Sequence, residues 1–96
     1  MKPIIVPVNA RFPLGKLYIT TPAEAALVES DVADAVIRHS IGVWGDLSAE
    51  DKSANDTALK TEGRLLSAYH DSNGVKFWII TEWDRSATTV LLPDDY

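Results

Sequence analysis

Polar and apolar positions change period twice along the chain. Residues 16–20, KLYIT, alternate and are rich in strand formers, which predicts a strand. TPAEAALVES then opens a helix. Thr21 is placed as its N-cap, with Pro22 in the first turn and Glu24 three residues after the cap. SDVADAVIRHSIG offers Ser30 as a second cap, and Val32, Ala33, Val36, Ile37 and Ser40 line up as one stripe ending at Gly42. A third helix is expected from Ser48 to about Thr61, with a narrow apolar face of Leu47, Ala54, Ala58 and Leu59.

From Arg64 the period shortens to two. RLLSAYH and VKFWIITE read as strands joined by DSNG, and Asn73–Gly74 is a strong hairpin signal. A two-residue turn pairs Tyr69 with Trp78 and His70 with Phe77. Tyr69, Trp78 and Ile80 then share the sheet face away from the helices. SATTVLLP closes as a third strand, stopped by Pro93. The pattern predicts an α+β domain with a three- to four-stranded antiparallel sheet, built on a C-terminal meander, and two to three helices on one face. Residues 1–96 form one domain, with 1–15 (three prolines and a glycine) as an extended arm. That arm, with Ile4, Ile5, Val6 and Phe12, is a candidate cover for the aromatic face. The alternative is a partner or a second copy of the chain.

Charge sharpens this picture. Residues 1–20 carry Lys2, Arg11 and Lys16 and no acid. Residues 21–56 carry eight acids against Arg38 and Lys52, and the whole chain is at −5. An acidic block disfavours direct nucleic-acid binding, because phosphate contacts need clustered Lys and Arg. It suits a protein partner with a basic groove, and Glu50, Asp51 and Asp56 on the third helix are the candidate contacts. There is no cysteine, which excludes a disulfide scaffold and Cys-ligated metals. No cofactor or metal motif is present. No run approaches the roughly 20 apolar residues of a membrane span, and the N-terminus lacks a signal h-region, so a cytoplasmic location is expected.

Catalytic candidates are few. Glu82, Asp84 and Arg85 sit between two strands, and His39 and His70 are isolated imidazoles. Together Glu82, Asp84, Arg85 and His39 are the residues a small enzyme or enzyme accessory would use. The reading preferred from the residues is a charged turn, with Arg85 paired to Glu82 across it, and no catalytic residues. Trp83 at the tip is a recognition candidate, since an exposed tryptophan suits a binding anchor. Trp44, between two glycines, is expected to plug the core.

The motifs RH-x-x-G-x-WGDL (from Arg38), D-x-x-x-N-x-x-AL (Asp51, Asn55, Ala58, Leu59), the S-x-Y of Ser67 and Tyr69, and WIITE-x-DRS-x-TT-x-LLP-x-x-Y (Trp78 to Tyr96) resemble a family of small, uncharacterised bacterial proteins. Its members are frequent on plasmids, integrative elements and prophages. Leu65 stands where that pattern carries an arginine. The resemblance covers about residues 16–96 and implies an accessory, mobile-element role. It brings no assigned activity. The function expected is a small acidic, non-enzymatic binding protein, in its sharpest form a counter-defence inhibitor of a CRISPR or restriction complex. The alternatives are the small enzyme and a structural homodimer.

Overall fold

The computed structural model describes residues 8–96. Four strands, β1 (Lys16–Ile19), β2 (Leu65–His70), β3 (Lys76–Thr81) and β4 (Ala87–Leu91), form one sheet in the order β1-β4-β3-β2. Helices α1 (Thr21–Ala26), α2 (Glu29–Ser40) and α3 (Ala49–Thr61) separate β1 from β2. The fold is α+β. The C-terminal meander is antiparallel, but β1 runs parallel to β4, so the sheet is mixed. Ile4, Ile5 and Val6 lie outside the described residues.

The first hairpin overturns the two-residue turn. His70 pairs with Lys76, Tyr69 with Phe77 and Ala68 with Trp78, one residue out of the expected register. Asp71 sets this longer loop. Its Oδ1 accepts the Asn73 and Val75 N–H groups at 3.0 and 2.9 Å, while Gly74 takes φ +81°. Three-residue loops ending in a left-handed glycine are a common hairpin solution. A one-residue slip turns a whole strand over. Leu65, Ser67 and Tyr69 therefore face the helices together with Phe77, Ile79 and Thr81. Tyr69 is 5% exposed and donates its hydroxyl to the Val43 carbonyl. It is not part of an exposed aromatic face.

The core lies between that sheet face and α2. Val32, Val36, Leu65, Phe77, Ile79 and Val90 are buried, with Trp44 and Phe12 closing one end. Trp44 is the core plug the sequence indicates, 4% exposed. Phe12 stacks on it at 6.2 Å rather than crossing the opposite sheet face. The α2 stripe is rotated from the expected one: Ala35 and His39 are buried beside Val32, Val36 and Ser40, while Ala33 and Ile37 are half-buried. Two caps also move. Thr20, not Thr21, caps α1, accepting the Ala23 N–H at 3.3 Å. α2 starts after Val28 with no side-chain cap, and the Val28 N–H donates to Asp71 Oδ2 at 3.2 Å. Ser48 caps α3 as expected.

The edge of β2 is closed without another full strand. Asn55 of α3 grips Leu66 from both sides, its Nδ2 donating to the carbonyl at 2.6 Å and its Oδ1 accepting the N–H at 3.1 Å. The next outward pair, on Ala68, bonds to the Trp44 carbonyl and the Asp46 N–H. These bonds blunt an edge that otherwise invites strand addition. Gly45 is required at this approach. Its φ is +77°, and a Cβ there would lie 2.0 Å from the Ala68 oxygen.

Candidate functional site

His39 and Arg85, two of the chemically notable positions, both contact the Phe12 ring. His39 meets that ring edge-on at 5.2 Å, and the Arg85 guanidinium carbon lies 5.8 Å from its centroid. The imidazole is fully buried. A chain of hydroxyls runs through it from β2 to the N-terminal segment. Ser67 Oγ lies 2.5 Å from Nδ1, Thr81 Oγ1 2.9 Å from Nε2, Thr88 Oγ1 2.7 Å from Thr81 Oγ1, and Thr88 donates to the Leu14 carbonyl at 2.7 Å.

That carbonyl fixes every proton in the chain. Thr88 has one hydroxyl hydrogen and gives it to Leu14, so Thr81 must donate to Thr88. Thr81 then has only lone pairs left for the imidazole, so His39 carries its hydrogen on Nε2. In the neutral ring Nδ1 is left as the acceptor for Ser67. Burial, with the Arg85 charge adding to it, pushes the imidazole down to about 3. A serine hydroxyl aimed at a neutral imidazole is the pairing that activates a nucleophile. Here both Ser67 and His39 are 0% exposed, so a substrate cannot reach either. The cluster joins α2, β2, β3 and β4 in their shared interior.

The β3–β4 turn is built differently from the charged turn expected. Arg85 does not pair with the Glu82 side chain. Its guanidinium donates to the carbonyls of Gly63 (2.6 Å), Ala58 (3.1 Å), Glu82 (3.1 Å) and Trp83 (3.3 Å). The Ala58 oxygen lies in the last turn of α3 and Gly63 follows its C-cap, at the negative end of the helix dipole, which attracts a cation. Arg85 also holds φ at +61°, an uncommon conformation for a side chain of this size. Asp84 accepts the Ser86 N–H at 3.0 Å. Hydrogen bonds from the Ser86 hydroxyl and N–H hold its carboxyl below the ordinary value.

The turn is thus anchored from below, and Trp83 stands 63% exposed at its tip. Beside it runs a groove of about 340 Å³ lined by Arg11, Phe12, Pro13, Leu59, Glu62 and the turn itself. Glu82, Asp84, Arg85 and His39 do not converge on a shared opening. His39 is fully buried, only Asp84 and Arg85 line the groove, and the Arg85 donors face backbone.

The other expected contacts are scattered. Glu50 and Asp51 are exposed in the first turn of α3. Asp56 is engaged within the fold, where its Oδ1 accepts the Trp44 indole N–H at 3.2 Å and lies 4.0 Å from Arg11. Trp78 is half-buried and Ile80 is 4% exposed on the outer sheet face, where Tyr96 meets Trp78 edge-on at 5.9 Å. Sequence reasoning missed Asn55, Asp71, Ser67, Thr81 and Thr88 as organising residues. The signal was present in part: hydroxyls placed within otherwise apolar strands.

Among the described residues, no group of three or more His, Asp or Glu side chains is placed to hold a metal ion, and no helix is long and apolar enough to cross a membrane. No family model, curated protein or solved structure matches the chain.

Proposed function

We propose that the protein is a non-enzymatic binding protein that docks on a basic protein surface through the β3–β4 turn. The observation that carries this reading is Trp83, exposed on a turn whose backbone is clamped by Arg85. A large aromatic side chain on a preorganised support loses little freedom on binding, and tryptophan is enriched at interface hot spots. The groove itself is mixed in charge, with Glu62 and Asp84 beside Arg11 and Arg85, so the preference for a basic partner rests on the acidic balance of the whole chain, −5. Glu50 and Asp51 are exposed at the other end of α3, away from the groove. A cytoplasmic counter-defence inhibitor, directed at a CRISPR or restriction complex, is the narrowest form of this proposal, and it rests on the resemblance to mobile-element proteins.

The test is affinity capture from the native host with the wild-type chain and with Trp83→Ala, followed by titration of the purified captured protein. The proposal expects at least a tenfold weaker interaction for Trp83→Ala and for Glu62→Lys, with melting unchanged in both. Equal binding by wild type and both variants overturns it.

A further inference from the structure

We infer that the cavity between the outer sheet face and the C-terminal residues is a binding site for a small aromatic carboxylate. It measures about 270 Å³ and is lined by Arg64, Leu66, Trp78, Ile80 and Tyr96. It shares no residue with the Trp83 turn, so it stands apart from the proposed docking surface.

Its floor is aliphatic. Leu66 and Ile80 are directly paired across β2 and β3, and both project to the face away from the helices. Trp78 follows Ile80 on the same face, and Tyr96 meets it at 74° to complete an aromatic wall. The wall is held in place from the far side. Asp95 Oδ2 accepts the Thr20 hydroxyl at 2.7 Å and the Leu92 N–H at 2.9 Å, which pins the 3-10 turn Pro93–Asp95 beneath Tyr96. That carboxylate oxygen is therefore already engaged.

Arg64 supplies the charge. Its guanidinium lies 4.9 Å from the Tyr96 ring centroid, and Nη1 donates to the Tyr96 hydroxyl at 2.5 Å. Among the described residues no carboxylate lies within ion-pair distance of it. One of its five N–H donors is used by the protein, and the planar fork is already oriented by the tyrosine. An apolar floor beside two rings that meet edge-on, with an oriented, unpaired guanidinium at its rim, selects two properties together. A flat ring satisfies the floor and wall, and a carboxylate accepts the paired donors of the fork. The volume is close to the lower end of ordinary ligand cavities, which limits the ligand to one or two fused rings.

The test uses the full chain, labelled with nitrogen-15 and titrated with 2-naphthoate and, separately, with neutral 2-naphthalenemethanol. The expected result is saturable shifts at the Trp78 indole N–H and the Arg64 side chain, with the carboxylate at least tenfold tighter than the alcohol. Arg64→Met should remove that preference and leave the affinity for the alcohol in place. Arg64 is exposed, and its variant is checked by thermal melting. Tyr96→Leu should weaken both probes. Equal affinity for the two probes, shifts mapping elsewhere, no saturation at millimolar probe, or an unchanged preference in Arg64→Met each overturns the assignment.

Discussion

Acid should unfold this protein through His39 well before its carboxylates matter. The native imidazole is held down to about 3, against 6.5 for the free side chain. The unfolded chain therefore takes up a proton as pH falls below 6.5, and the folded chain does not. Stability rises with pH wherever the unfolded state binds more protons. The contribution of the buried neutral ring is thus fully present above pH 6.5 and is lost as pH falls from there toward 3. Between pH 7.5 and 5 the loss is about 2 kcal/mol, from roughly 1.4 kcal/mol per pH unit below 6.5. That figure is set by the unfolded chain as long as the native value stays well below 5.

The assay is urea unfolding followed by circular dichroism at several pH values. With a slope of about 1 kcal/mol per molar urea for a domain of this size, the midpoint should fall by roughly 2 M. His39→Gln loses baseline stability but also this pH dependence, so the difference between the two chains isolates the ring. Nitrogen shifts of the imidazole should report a neutral ring with hydrogen on Nε2 at pH 5. If wild type and His39→Gln weaken in parallel between pH 7.5 and 5, or if His39 is cationic at pH 5, the argument fails.

Further substitutions probe the other supports. Arg85→Ala removes a charged donor from four carbonyls and keeps a Cβ at positive φ. It should cost about 2–4 kcal/mol, a fall in melting temperature of roughly 10–25 °C. Arg85→Gly relieves the backbone part, so calorimetry should show it less destabilised than Arg85→Ala. A loss of only a few degrees in Arg85→Ala would contradict the clamp. Gly45→Ala forces a Cβ into the Ala68 carbonyl, and hydrogen exchange at the Ala68 amide should accelerate by more than tenfold. Asn55→Ala leaves the Leu66 backbone pair without its partners and should destabilise by about 1–3 kcal/mol, read from urea midpoints; a neutral result would show that water replaces the amide.

How the chain folds explains which of these features were legible in advance. Period and propensity indicated two to three helices and three to four strands, because each depends on neighbours a few residues apart. The Ser48 cap, the stop at Pro93 and the buried Trp44 came from the same local information. The motif positions quoted from the sequence were read from it in the same way. Several of them prove to be supports of the fold: His39, Asn55, Ser67, Thr81, Arg85 and Thr88 are all bonded inside it or across it.

Register and long-range pairing were not local. Asn73–Gly74 permits both a two-residue and a longer hairpin loop. The Asp71 carboxylate decides between them by capturing Asn73, Val75 and, at the start of α2, Val28. That choice turns Tyr69 inward and joins it to the face of Phe77. Arg85 has a near carboxylate in sequence, Glu82, but its guanidinium bonds to the Gly63 and Ala58 carbonyls, which only the packing of α3 against the turn brings within reach. The protonation of His39 was invisible for the same reason. Its hydrogen-bonded chain draws on residues 14, 67, 81 and 88, and only the closed tertiary structure brings their oxygens within reach of one ring. The sequence alone determined which segments become helix or strand. Packing decided which faces meet, because a buried polar atom must find its partner wherever the chain can supply one.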